Sequence, residues 1–225
     1  MLFGSVGEIM NDKLDQFKVS DEFKNPVQTC TDCPLYVLPV NILTFVDHSL
    51  GKLTLTGQYK NFGVERGNVG HDGTTKVLFI GIAPSSRIRF DKQRRAFFPG
   101  DLSESSSGAM FFNVLFDEKW DERYDLYVTN LVKCSTKDNA FPDDHNLNRC
   151  EKWLTKELRS IKPDFVICLS SKVFNEFTNR YVDDIIDMNI KVYYMKHPAY
   201  FYRMRSLNKY DLRDELRTVE KKLIK

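Results

Sequence analysis

Short apolar runs alternate with longer helical segments through the last two thirds of the chain, and this alternation constrains the fold more than any other feature. Four runs have the length and composition of buried parallel strands: "KVLFIGIAP", "DLYVTNLV", "KPDFVICLS" and "IKVYYMKHP". Helical segments separate or follow them: "GAMFFNVLF", "DDHNLNRCEKWLTKELRSI", "SKVFNEFTNRY" and "SLNKYDLRDELRTVEKKLIK". This spacing predicts an α/β fold, a three-layer α/β/α sandwich with a mainly parallel, four-stranded central sheet.

The chain of 225 residues, 42% of them hydrophobic, is long enough to bury one substantial core. We predict an N-terminal helix and a connector over residues 1–27, and a single domain over residues 28–225. The N-terminus lacks the pattern of a secretory signal, and no apolar run approaches the ~20 residues of a membrane span. We therefore expect an intracellular, cytoplasmic monomer without membrane contact.

Basic residues cluster in two separate stretches, although the formal net charge of the chain is only +2. Residues 87–95, "RIRFDKQRR", include five basic residues and one acidic residue, and residues 196–210, "KHPAYFYRMRSLNKY", include four basic residues and no acidic one. Such clusters fit a phosphate backbone, and the aromatics within the second favour a nucleic acid. The alternative is that both are solvated faces.

Polar or unusual residues follow three of the four predicted core strands. They are "GIAPSS" after the first strand, "TN" at the end of the second and "HPAY" after the fourth. Open parallel sheets bind their ligands at the carboxyl ends of the strands. The functional site is therefore expected at this edge of the sheet.

Four of the five cysteines form two pairs, Cys30-x-x-Cys33 and Cys134 with Cys150 sixteen positions later. In a reducing compartment this arrangement favours a metal or iron–sulfur centre over disulfides. Zinc and a [4Fe–4S] cluster both accept four thiolates, so both stay open, as does a set of scattered core thiols. Cys168 lies within the apolar "FVICLS" and is expected in the core.

Several motifs, in their order along the chain, resemble one known family. They are an early C-x-x-C, "KVLFIGIAPSS", "FFPG", "VTNLVKC", the Cys134/Cys150 spacing, "KPDFVICLS" and "KHPAY". The set is similar to the iron–sulfur uracil-DNA glycosylases, the thermophile-type (family 4) members of the uracil-DNA glycosylase superfamily. The resemblance covers roughly residues 28 to 220.

This resemblance implies that the protein flips uracil out of DNA and hydrolyses its glycosidic bond. Asn130 would read the uracil edge, Phe98 would stack on the base, and His197 would stabilise the uracil anion as it leaves. Gly81 and Ala83 would line the base pocket. The resemblance also implies a [4Fe–4S] cluster held by four cysteines: Cys30, Cys33, Cys134 and Cys150.

The resemblance also implies contacts with the DNA backbone. Residues 198–205, "PAYFYRMR", are expected to form a loop that enters the DNA. Tyr200 or Phe201 would wedge into the gap that the flipped base leaves. Polar and basic residues would contact phosphates: Ser85, Ser86, Arg203 and Arg205.

The chain departs from the family at its first motif, which usually carries a glutamate where this sequence has Ile82. The nearest downstream acid is Asp91, and it is our candidate for the missing carboxylate. Three functions stay open: a glycosylase for uracil or a related base, a DNA-binding module that keeps the fold but does not cut, and a zinc-stapled α/β protein with a small-molecule role.

Overall fold

The structure is a computed structural model that describes residues 17–19, 44–46, 75–84, 107–204 and 209–224. Its strands are β1 (Phe17–Val19), β2 (Thr44–Val46), β3 (Lys76–Gly81), β4 (Asp125–Asn130), β5 (Phe165–Leu169) and β6 (Lys191–Met195). The helices in these ranges are α1 (Ser107–Asp117), α2 (Trp120–Arg123), α3 (Asp144–Ile161), α4 (Ser171–Arg180), α5 (Val182–Asp187), α6 (Pro198–Arg203) and α7 (Lys209–Leu223). None of them combines the length and the hydropathy that a membrane-crossing helix requires.

The sheet has the strand order β1-β2-β4-β3-β5-β6. Strands β3 to β6 are mutually parallel and are the four strands that the sequence predicts. The two short strands extend the sheet in antiparallel fashion beyond β4. Strand β1 corrects the prediction for residues 1–27, because Lys18 and Val19 pair with β2 where we expected only a connector. The predicted N-terminal helix otherwise lies outside the described residues.

Alternating side chains of the parallel strands build a separate core on each face of the sheet, as a two-residue period requires. On one face, Phe79 of β3 and Val128 of β4 pack under helices α1, α2, α6 and α7. On the other face, Leu78 of β3 and Cys168 of β5 pack under helices α3 and α4. The three-layer α/β/α architecture is therefore confirmed.

Helix α3 connects β4 to β5 across the second face and presents one buried stripe to the sheet. Its N-terminus is capped by Asp143, whose carboxylate accepts the N–H of Asn146 at 2.8 Å. Its buried residues recur every three or four positions, as expected of an amphipathic helix: Leu147, Cys150, Trp153, Leu154, Glu157, Leu158 and Ile161. This spacing places a thiol and a carboxyl group on the face that meets the sheet.

Candidate functional site

The carboxyl ends of the parallel strands lie at one edge of the sheet, where the sequence predicts the site. Gly81 at the end of β3 is the register partner of Asn130 at the end of β4. The pairing continues past both strands, because Leu131 N–H donates to the Gly81 carbonyl at 2.9 Å and Val132 N–H to the Ile82 carbonyl at 3.1 Å. The chain connection reverses direction between β3 and β5, the usual position of a ligand crevice in an open parallel sheet.

Asn130 is completely buried at this edge. Its position in β4 alternates with that of Thr129, which contacts helix α3 on the second face. The Asn130 side chain is therefore on the same face as Leu126 and Val128, the face that helix α6 covers. A buried amide offers both a donor and an acceptor in a fixed orientation, which is what reading the edge of a base requires.

His197 lies between β6 and α6, at the same edge of the sheet, and acts as the N-cap of α6. Its Nδ1 atom accepts the backbone N–H of Ala199 at 3.0 Å, so the neutral ring has its proton on Nε2. Burial lowers the pKa of His197 from 6.5 to about 4, and the positive charge of Arg203 acts in the same direction. The imidazole is therefore neutral at physiological pH and can donate from Nε2.

The segment after His197 is a helix and not the loop that we expected. Pro198 occupies the first turn of α6, where proline fits because its missing N–H would have no intrahelical partner. Within this helix Tyr200 is 43% exposed, whereas Phe201 is 3% exposed and packs in the first core. Phe201 is thus unavailable as a DNA contact in this structure. Arg203 is exposed, with Tyr200 on the same short helix.

Two of the four predicted cluster ligands lie in the described part of the chain. Cys150 is buried on α3, and its Sγ atom accepts the backbone N–H of Lys133 at 3.2 Å. Cys134, one residue after Lys133, is partly exposed. Neither cysteine forms a disulfide. Hydrogen bonds from N–H groups to sulfur, such as that of Lys133 to Cys150, also occur around iron–sulfur clusters. Among the described residues no group of three or more His, Cys, Asp or Glu side chains forms a metal site.

Cys168 is confirmed as a core residue. It is completely buried in β5, between the helices of the second face and the sheet. Burial raises the pKa of its thiol far above the usual value, so it does not ionise near neutral pH.

Ile82, which the resemblance aligns with the family glutamate, is partly buried and packs against the second core together with Ala83. No carboxylate can be supplied from this position. The remaining predicted site residues lie beyond the part of the chain that the structure describes: Cys30, Cys33, Ser85, Ser86, Asp91, Phe98 and Arg205.

Sequence reasoning missed two features near the site. The first is a buried ion pair between Lys133 and Glu157, in which Nζ and Oε2 are 2.6 Å apart. The sequence does contain a signal for this pair. Lys133 lies in the apolar run "TNLVKC", and Glu157 follows Cys150 by seven positions, on the apolar face of a helix. Burial raises the pKa of the Glu157 carboxyl group, while the charge of Lys133 and hydrogen bonds from Lys133 and Thr129 oppose that rise.

The second missed feature is Ser170, which follows β5 at the same edge. It has φ 146° and ψ 159°, a region that is almost confined to glycine. Its hydroxyl caps helix α4 by accepting the N–H of Val173 at 3.2 Å. Nothing in the residue type indicates this backbone conformation.

Comparison with known proteins decides the family. The family model described as "Uracil DNA glycosylase superfamily" matches residues 68–219, which include every core strand and the site described above. This chain belongs to the uracil DNA glycosylase superfamily.

Several of the curated proteins that match the chain are named Type-4 uracil-DNA glycosylases, and one is named a Type-5 uracil-DNA glycosylase. The Type-4 uracil-DNA glycosylase of Thermotoga maritima is 24% identical over 189 residues, which are 80% of this chain and 81% of the relative. The Type-4 uracil-DNA glycosylase of Archaeoglobus fulgidus is 29% identical over 113 residues, 50% of each chain. That of Saccharolobus solfataricus is 27% identical over 100 residues, 44% of this chain and 43% of the relative. The resemblance to family 4 seen in the sequence motifs is thereby confirmed.

Proposed function

We propose that this superfamily member is a DNA glycosylase that flips uracil, or a related deaminated or modified base, out of DNA and hydrolyses its N-glycosidic bond. The observation that carries the proposal is the completely buried Asn130 at the carboxyl end of β4. It is supported by the neutral His197 at the same edge of the sheet. Together they supply a group that reads a base edge and a group that stabilises the leaving base.

Asn130 gives selectivity in this proposal. The amide oxygen accepts the N–H of uracil, and the amide nitrogen donates to a uracil carbonyl. Cytosine presents a different order of donors and acceptors, so a fixed amide disfavours it. Gly81 and Ala83 would line the pocket beside Asn130, and Gly81 leaves room because it has no side chain.

His197 acts on the leaving group. Cleavage of the glycosidic bond leaves negative charge on a uracil oxygen, and the Nε2–H of a neutral imidazole donates a hydrogen bond to that oxygen. The Nδ1 contact with Ala199 holds the ring in the tautomer that this step needs. Loss of one such donor costs about 3 kcal/mol in other enzymes that stabilise a developing anion.

The proposed cofactor is a [4Fe–4S] cluster, with zinc as the alternative. Cys134 and Cys150 fit this role because neither forms a disulfide and the Cys150 sulfur accepts an N–H hydrogen bond. Cys30 and Cys33 would complete the set of four thiolates. Bond hydrolysis requires no electron transfer, so the cluster would tie the segment after β4 to the N-terminal part of the chain.

Contacts with DNA are also proposed. Exposed Tyr200 would wedge into the gap, and Arg203 would contact a phosphate together with Arg205 and with Ser85 and Ser86. Phe98 would stack on the flipped base, and Asp91 would take the place of the missing family acid. We propose an intracellular monomer built as one domain over residues 28–225.

A second candidate function is favoured by Ile82. An apolar residue packed against the core stands where the family supplies a carboxylate. A protein without that acid could recognise a flipped base and leave the bond intact. The second candidate is therefore a DNA-binding member of the superfamily with little or no activity.

An abasic-site assay separates the two candidates. The protein is incubated with an oligonucleotide that contains one uracil, single-stranded or opposite guanine, and alkali then breaks the strand at any abasic site. We expect cleavage at the uracil and none in a thymine control. Asn130→Ala should abolish cleavage, and His197→Ala should lower its rate by about two orders of magnitude.

Binding of uracil-containing DNA without abasic product, by protein that contains its metal, would overturn the glycosylase proposal. Ile82→Glu would then be the substitution to try, because it restores the acid of the family motif. Gain of cleavage by this variant would show that the missing carboxylate is the cause.

A further inference from the structure

Lys133 is almost completely buried directly after the base-reading strand, and its ammonium group is surrounded by oxygen atoms. Its Nζ atom donates to the Asn130 carbonyl at 2.8 Å, to the Thr129 hydroxyl at 2.6 Å and to Glu157 Oε2 at 2.6 Å. Thr129 also donates to Glu157 Oε2, at 2.8 Å. The lysine and the glutamate are 1% and 0% exposed. The last two residues of β4 are thus bound to helix α3 through one ammonium group.

Helix α3 holds Lys133 at two points. Cys150 and Glu157 are seven residues apart and therefore lie on the same face, two turns from each other. Cys150 Sγ accepts the backbone N–H of Lys133 at 3.2 Å, and Glu157 binds its side chain. The same helix thereby fixes the main chain of the segment after β4 and, through the ammonium group, the carbonyl of Asn130.

Stability alone does not account for this arrangement. Removing two charges from water costs about as much as their attraction returns, and apolar replacements of similar volume are often neutral or stabilising. The geometry instead favours a role in orientation. The Asn130 side chain is on one face of the sheet. The Lys133 ammonium group donates to the backbone carbonyl of Asn130 from the opposite face, on which α3 packs.

We propose that Lys133 is a positioning residue for Asn130, and that Glu157 holds Lys133 in place. The pair sets the direction of the Asn130 amide by fixing the peptide that follows it. It also joins the strand that carries Asn130 to the helix that carries Cys150, so the proposed cluster and the base pocket share one support. The inference rests on the proposed function, because Asn130 is the base-reading residue only in a glycosylase or a base-binding relative.

The test uses the double variant Lys133→Met/Glu157→Leu, which removes both charges and keeps the volume. The control is Arg123→Met/Glu220→Leu, which removes an ion pair with a 2.6 Å contact between α2 and α7, away from the carboxyl edge of the sheet. Metal-loaded proteins are compared by their single-turnover rate of uracil release and by their Kd for uracil-free DNA. Hydrogen exchange of the amides of residues 130–132 is measured in parallel.

We expect the site variant to release uracil at least tenfold more slowly, with its Kd for uracil-free DNA within twofold of the wild-type value. Its amides at 130–132 should exchange at least tenfold faster, and the control should change neither quantity. A site variant that releases uracil within twofold of the wild-type rate would overturn the inference and leave the proposed function intact.

Two further outcomes are distinguishable. If the wild-type protein releases no uracil, the proposed function fails, and exchange at 130–132 then decides the positioning role: faster exchange supports it and unchanged exchange overturns it. If the double variant does not fold, Glu157→Gln replaces it, since this change keeps the shape and weakens the hold on Lys133. It should slow release at least threefold, and an unchanged rate would refute the inference.

Discussion

Replacing His197 with asparagine should remove a large part of the pH dependence of stability between pH 6.5 and pH 4. The unfolded chain protonates this histidine below pH 6.5, whereas the folded protein protonates it only near pH 4. The contribution of His197 to the free energy of unfolding is therefore fully present above pH 6.5 and is lost as the pH falls towards 4. A lowering of the pKa from 6.5 to about 4, at ~1.4 kcal/mol per pKa unit, corresponds to about 3.5 kcal/mol, of which about 3 kcal/mol is lost by pH 4.

Asparagine is the matched substitution because it also caps helices, so the hydrogen bond from Ala199 N–H keeps an acceptor. Urea unfolding of both proteins at pH 7, 6, 5 and 4 gives the difference between their free energies of unfolding. We expect this difference to shift by about 3 kcal/mol against the wild-type protein between pH 7 and pH 4, because only the wild-type residue titrates. A difference that stays constant with pH would refute the lowered pKa of His197 and with it the neutral imidazole at physiological pH.

Three further predictions follow from the same edge of the sheet and its surroundings. Ser170→Gly should raise the free energy of unfolding by about 1 kcal/mol in urea titrations. Relief of the backbone strain outweighs the few tenths of a kcal/mol that are lost with the helix cap. A free energy of unfolding below that of the wild-type protein would contradict the strain. Cys134→Ser should abolish iron binding in anaerobically purified protein and lower the thermal midpoint, whereas Cys168→Ala should keep full iron content; stoichiometric zinc without iron in the wild-type protein would contradict the cluster. Arg203→Ala should reduce the slope of log affinity for DNA against log salt concentration by about one. The control is Arg159→Ala at the opposite edge of the sheet, which should leave the slope unchanged. An unchanged slope for both variants would show that Arg203 does not contact a phosphate.

The central sheet was predictable because both faces of its strands are buried. After Lys76, the run "VLFIG" has no polar position, and this pattern is typical of a short strand covered by helices on both faces. The short helices α2 and α5 were not predictable, because four or six residues are too few to show a helical period. Strand β1 has three residues, too few to show the alternation of a strand, and it is defined by its pairing with β2.

The candidate site was predictable where residue type and position coincide. Asn130 and His197 stand at strand ends, and the topology of a parallel sheet brings such ends to one edge. The choice between Tyr200 and Phe201 was not available from sequence, since neighbouring aromatics on a helix face different directions and tertiary packing decides which is buried. Lys133 was overlooked because lysine is rarely buried unless it is paired, and its partner Glu157 is distant in sequence.

Release of free uracil under single-turnover conditions tests the central claim most directly. Metal-loaded protein in excess over an oligonucleotide with one uracil is sampled over time, and free uracil and abasic sites are both quantified. Hydrolysis by a glycosylase predicts equal amounts of the two products from the wild-type protein and neither from Asn130→Ala, in which the buried amide at the end of β4 is absent. Uracil release that Asn130→Ala leaves unchanged, or DNA binding by the wild-type protein with neither product, would contradict the account.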